Sequence, residues 1–215
     1  MVVNLINDIT AIENIFSENS YKGKITDEKY FKIIEGHGNI LISAPHSVTQ
    51  WRNNNIKKAD IYTGSIATIL SQLTNFPAII MTKFIENTKD YFNEIKNMVN
   101  SKGIKLVVDI HGMKYEKKSD IDIGIGSNFQ FIPQQILDKM RGVLSNYCLN
   151  NTVNAYFNAD NSLTVSYNVY NELNISSVQL EINRKFRDPI AHYDKFMQMI
   201  NAISDSLKAI SPYLN

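Results

Sequence analysis

Three side chains in this sequence are of the kinds that hold metals and move protons, and each stands at the end of a short apolar run. His46 follows Asn39–Ala44 (NILISA) and Pro45, His111 follows Ile104–Ile110 (IKLVVDI), and Glu181 lies near the end of Ser177–Ile182 (SVQLEI). Two imidazoles and one or two carboxylates make a good zinc site, with a fourth position open for water. Zinc lowers the pKa of that water and polarises a carbonyl, while a carboxylate takes the proton. Asp60, in the segment after the His46 loop, is the best-placed third ligand. Asp109 is two residues before His111, so on a strand it shares that face and could be a ligand or could orient the imidazole. Just past Glu181 come Asn183, Arg184 and Arg187, and Arg52 lies in the loop after His46. A guanidinium fork matches a carboxylate, so these residues are candidates for anchoring an acidic substrate. Ser47 sits in no Gly-x-Ser-x-Gly elbow and is assigned to the surroundings of the ligands, not to nucleophilic attack.

Each candidate has a plainer alternative. Glu181, costly to bury alone, could pair with Arg184 or Arg187. Asp60 could serve a helix's first turn. His37 in its Gly-His-Gly turn and His192 on the last helix read as loop and surface residues. Lys57-Lys58 and Lys117-Lys118 read as solvated faces, Cys148 as a small core residue on a helix, and Tyr167–Tyr170 as core.

The elements that must position the three residues alternate regularly. Apolar spacing predicts an N-terminal helix over Val3–Phe16 and a strand over Tyr30–Ile34. Strands follow at Asn39–Ala44, Pro77–Met81, Ile104–Ile110, Ile121–Ile125 and Ser177–Ile182. Helical periods run over Asp60–Leu73, Asp90–Val99 with Gly103 at its end, Pro133–Tyr147, and Pro189–Ile210. Short β-rich runs between helices predict an α/β fold, a three-layer, mixed and mainly parallel sheet flanked by helices. In such sheets functional groups gather beyond the carboxyl ends of the strands, which is where His46, His111 and Glu181 fall.

The 215 residues, 44% apolar and 20% charged, suit one buried core, so a single domain over 1–215 is expected, with 1–38 as an extension packed on it. A net charge of +1 argues against nucleic-acid binding. One cysteine excludes an internal disulfide framework. No stretch reaches the roughly 18 apolar residues of a membrane span, and the N-terminal segment lacks the pattern of a signal peptide. A cytoplasmic protein acting on a small molecule, with neither membrane nor nucleic acid as partner and with no oligomeric state specified, is the expectation.

The segments Ala44-Pro45-His46-Ser47, Asp109-Ile110-His111-Gly112 and Gln179-Leu180-Glu181-Ile182-Asn183 resemble the N-formylglutamate amidohydrolase family, relatives of zinc carboxypeptidases and aspartoacylases in the phosphorylase/hydrolase-like fold. The likeness spans about Ile40 to Arg187 and rests on these three motifs. It implies one zinc ion held by His46, His111 and Asp60, with Glu181 as general base or acid. It further implies hydrolysis of an amide C–N bond in a small N-acyl amino acid or peptide-like compound with a free carboxylate. Two departures stand out. Val48 replaces a glycine common after Pro-His-Ser, and no Asp-Leu-Asn-Arg motif follows Pro77–Met81, where Asn87, Thr88, Lys89, Asp90 and Asn93 are its nearest echo. A non-catalytic member of the fold that binds a small anion or a protein partner is the second reading. A phosphorylase ranks last, since no Gly-rich phosphate loop is present.

Overall fold

The computed structural model describes residues 5–52, 54–86 and 89–214. In chain order the elements are α1 (Leu5–Tyr21), β1 (Phe31–Ile34), β2 (Ile40–Ala44), β3 (Gln50–Arg52), β4 (Asn55–Lys57), α2 (Thr63–Thr74), β5 (Ala78–Met81), α3 (Lys89–Lys102) and β6 (Leu106–Met113). There follow β7 (Ile121–Gly124), α4 (Gln134–Asn146), β8 (Asn151–Val153), α5 (Val165–Leu173), β9 (Ser176–Asn183), α6 (Arg184–Arg187), α7 (Tyr193–Ile210) and a 3₁₀ turn at Ser211–Tyr213.

Seven strands form one mixed sheet in the order β1-β5-β2-β6-β9-β7-β8, and β3 and β4 form a separate hairpin. The centre, β5-β2-β6-β9, is parallel, while β1 and β7 run antiparallel to their neighbours β5 and β9. All residues of β2 and β5 are buried, the continuous apolar pattern of strands covered on both faces. Helix α7 packs on α2 and α4, and α5 packs on β6, β9 and α3, which gives the three layers. Ile9 and Phe16 of α1 are buried in the same core as the sheet. Helix ends follow their local chemistry. Gly103 takes φ +65 just past α3, and Thr164 caps α5 by accepting from the Tyr167 amide.

The structure departs from the sequence expectation at several boundaries. The helix after Asp60 begins at Thr63, so Asp60 stands outside its first turn. Strand β6 runs on to Met113, which puts His111 within the ladder and not after it. The closing helix starts at Tyr193, with α6 a separate turn and His192 preceding α7. Cys148 is exposed, in a left-handed conformation after α4 rather than in the core. The hairpin and β8 carry no clear alternation: three residues per strand are too few to show a period, and Asn54-Asn55 keep the hairpin tip polar.

Candidate active site

Register across the sheet gathers the site. On adjacent parallel strands His111 of β6 lies opposite Glu181 of β9, and Asp109 lies opposite Gln179. The antiparallel β7 then places Asp122 opposite Glu181. Paired residues share a face of the sheet, so this row is fixed by strand pairing alone. His46 joins it from the loop after β2. There the Asp60 amide donates to the His46 carbonyl at 2.8 Å, bringing together residues fourteen apart along the chain. The His46 and His111 ring centres are 4.9 Å apart.

Each imidazole presents its δ nitrogen differently from its ε nitrogen. His111 Nε2 donates to Asp109 Oδ2 at 2.8 Å, and Asp109 Oδ1 accepts from Ser43 Oγ at 2.8 Å. With Nε2 so engaged, Nδ1 faces Asp60 Oδ2 at 3.5 Å. His46 Nδ1 is buried and has no hydrogen-bond partner. The hairpin brings two cations onto this group. Arg52 reaches to 3.4 Å from His46 Nε2, and Lys57 Nζ lies 3.4 Å from both oxygens of Asp60. Lys57, expected on a solvated face, is therefore part of the site.

The charges follow from these neighbours. Burial, reinforced by Lys57 and His111, pushes the His46 pKa well below its usual value and keeps that ring neutral. Burial also opposes charge on His111, but Asp109 and Asp60 outweigh it and raise its pKa to about 10. Asp60 is held below the ordinary carboxylate range: burial works against this, and His111, Lys57 and His46 prevail. Burial raises Glu181, and Asp60 adds to the rise against the pull of His111. A carboxyl with a raised pKa at the end of a strand suits proton transfer.

Among the described residues no group of three or more His, Cys, Asp or Glu side chains is arranged so as to hold a metal ion as it stands. The donor chemistry of His46, His111 and Asp60 nonetheless suits zinc. Metal–ligand lengths of about 2.0–2.2 Å set tetrahedral donors roughly 3.3–3.6 Å apart and two imidazole centres about 5 Å apart. The 3.5 Å gap between His111 Nδ1 and Asp60 and the 4.9 Å between ring centres are of that size. The gap is too long for a good direct hydrogen bond, and the buried, unpartnered His46 Nδ1 is the candidate for a third donor.

Other residues expected at the site have different work. Arg187 donates Nε to Ile182 O at 2.9 Å, Nη2 to Met113 O at 3.2 Å, and Nη1 to Ile61 O. This fork ties the ends of β6 and β9 to the segment beside Asp60, in place of the expected substrate contact. A Cβ on Gly112 would strike the guanidinium at 2.3 Å, so Arg187 lies flat where only glycine leaves room. Asn183 is fully buried and donates to Lys117 O at 2.9 Å and Ser119 O at 3.1 Å, while its own Oδ1 caps α6; it is a strap, not a substrate contact. Ser47 Oγ donates to Ala44 O and Met81 O, so its hydroxyl ties down the loop that carries His46. Arg184 is exposed on a neighbouring cavity that also includes Tyr21, Tyr62 and Asp188. Of the Asn87–Asn93 echo, Asn87 and Thr88 lie outside the described residues, and Lys89 and Asn93 border a cleft that reaches the two histidines.

Two residues escaped the sequence reading. Asp122 is fully buried and accepts from the amides of Ala155, Tyr156 and Phe157 at 3.1, 2.8 and 2.9 Å, which fixes the loop after β8 as a wall of the site. Gln179 donates Nε2 to Glu181 Oε1 at 2.5 Å and so holds the carboxyl in place. The spacing of Gln179 and Glu181, two apart on a strand, was the available signal.

Neither a protein-family model nor a curated protein sequence matches the chain. Solved structures do match its fold. A gene product of Agrobacterium tumefaciens superposes with a TM-score of 0.64 at 13% identity, covering 87% of this chain and 96% of the other. N-formylglutamate amidohydrolase from Ralstonia eutropha JMP134 gives a TM-score of 0.60 at 10% identity, with 86% and 98% covered. A bacteriophage poly-gamma-glutamate hydrolase gives 0.52 at 16% identity, with 85% and 90% covered. The three-layer fold is thus one that also carries amide-cleaving hydrolases. At these identities the likeness is one of fold.

Proposed function

We propose that this chain is a metal-dependent hydrolase, with zinc as the metal, that cleaves the amide C–N bond of an N-acyl amino acid or peptide-like substrate. The observation that carries the reading is the meeting of His46, His111 and Asp60 beside Glu181, at the carboxyl ends of adjacent strands. The named neighbours that act on amides support it.

In this reading His46, His111 and Asp60 would hold the ion. When bound, the ion supplies Lewis acidity toward the substrate carbonyl and makes water a nucleophile near neutral pH. Asp109 fixes the tautomer of His111 by accepting from Nε2. Glu181 takes a proton from the water that attacks the carbonyl carbon. It then delivers that proton to the nitrogen as the C–N bond breaks, leaving a carboxylic acid and an amine. Arg52, beside His46, offers a cation toward oxygen charge that develops in the transition state.

The test compares zinc content and turnover. Wild type should bind one zinc, and a His46→Ala/His111→Ala double variant should bind none. Glu181→Gln should keep zinc but lose about 10²–10⁴ in kcat against N-acyl amino acids and short peptides. Equal, negligible zinc in wild type and the double variant would sink the reading.

A further inference from the structure

We propose that the substrate is a linear, peptide-like chain, bound on both sides of the scissile bond and cut at an internal amide. This deepens the hydrolase reading and rests on it. Two cavities share His46, His111, Arg52 and Thr164 as a common wall. One has a volume of about 430 Å³ and the other about 550 Å³. Each alone is within the roughly 300–1,000 Å³ of a full ligand site, so a single N-acyl amino acid fills only one of them. With the reacting centre at their junction, a ligand that uses both must pass across it.

The two sides differ in chemistry. The smaller is lined by the 154–161 loop, Gln179 and Glu181. Asp122 pins the backbone of this loop, so the wall is preformed. Gln179 is 5% exposed and its Oε1 is buried without a partner. Because Nε2 is taken by Glu181, the carbonyl oxygen of this lining residue is left as an acceptor without a donor. A buried acceptor with no donor is unfavourable, and a backbone N–H of the substrate would supply one.

The larger side is lined by Trp51, Phe92 and Leu163, of which Trp51 is 42% and Leu163 51% exposed. Large apolar groups on an open wall suit an apolar side chain. Charged side chains of both signs, Arg52 and Lys89 with Glu86 and Glu172, line this side as well. Arg187, one of the cations that sequence reasoning assigns to a free substrate carboxylate, has each of its three nitrogens on a backbone carbonyl.

The experiment uses zinc-supplemented protein and three probes: N-formyl and N-acetyl amino acids, hexapeptides capped at both ends that carry leucine, and the same hexapeptides with serine. Product is followed by chromatography. Binding is followed by the emission of Trp51, the only tryptophan of the chain. The leucine hexapeptide should be cut internally with kcat/KM at least about 10-fold above the other probes, and it should shift Trp51 emission even after chelation of the metal. Gln179→Leu should lower kcat/KM for the leucine hexapeptide at least about 10-fold, raising KM through the lost acceptor and lowering kcat through the freed Glu181 carboxyl, with zinc content unchanged. Leu163→Ser, an exposed change that spares the core, should erase the preference for leucine over serine. Cleavage of N-acyl amino acids without cleavage of capped peptides overturns the proposal and leaves the hydrolase reading standing. A Trp51 response to the leucine peptide with no cleavage of any probe overturns the hydrolase reading but supports recognition of a chain. Silence in both readouts overturns both.

Discussion

Replacing Arg187 with methionine separates two roles that the sequence leaves open, substrate anchor and structural clamp. The side chain is 5% exposed and each arm of its fork ends on a different backbone carbonyl, from Ile182, Ile61 and Met113. A hydrogen bond from a charged donor contributes about 1.5–3 kcal/mol, and three of them are lost together. Relief of the buried charge offsets part of this, leaving a net loss of about 3–4 kcal/mol. Methionine keeps most of the volume, so the loss reports the donors and not a cavity. With an m-value of about 2–3 kcal/mol/M, the urea midpoint should fall by about 1–2 M. Arg187→Lys should recover little, because an ammonium cannot reach three carbonyls in one plane. Zinc affinity should fall as well, since the clamp holds the segment next to Asp60. The reasoning is refuted if the methionine variant keeps its urea midpoint and loses only affinity for substrates with a carboxylate.

Three further outcomes are expected. Asp109→Ala should lower zinc affinity by 10–100-fold in a competition titration, because it frees the His111 ring and leaves its Nε2 without an acceptor. Gly112→Ala should destabilise by about 1–3 kcal/mol in urea titration, since its methyl meets the Arg187 guanidinium, and a Gly112→Ala/Arg187→Met pair should show clear non-additivity. Glu13, 5% exposed, accepts from Tyr21 Oη, the Tyr62 amide and Ser65 Oγ, yet burial raises its pKa above the ordinary 4.5. The fold therefore favours its protonated form, a contribution present in full below pH 4.5 and lost as pH rises through the higher folded value. Glu13→Gln should gain stability relative to wild type between pH 4.5 and 7, read as diverging urea midpoints; a variant that loses ground as pH rises contradicts this.

The sheet was legible because its strands are apolar runs between helical periods, and Ile104–Ile110 and Ser177–Ile182, which overlap β6 and β9, announce themselves by composition. Strand direction was less legible. Ile121–Gly124 looks like its parallel neighbours, and only pairing with β9 reveals that it runs the other way. At the site, residue type and strand-end position brought His46, Asp60, Asp109, His111 and Glu181 into consideration, and the structure gathers them. Arg187 departs from expectation because a guanidinium that reads a carboxylate and one that reads three carbonyls have the same local sequence. Asp122 was invisible since its partners are backbone amides more than thirty residues away, which no spacing rule records.

The bond from the Asp60 amide to the His46 carbonyl closes a loop whose outer part, Trp51 to Lys58, stands away from the main sheet. Its base is secured independently, by Ser47 on Met81 and by the Thr49 amide on Tyr21. Only the turn between the two cations, at Asn54 to Ile56, can therefore be exchanged while the neck stays shut and Arg52 and Lys57 keep their places on His46 and Asp60. In this chain that short turn is where a new preference can be tried with the centre beneath it left intact.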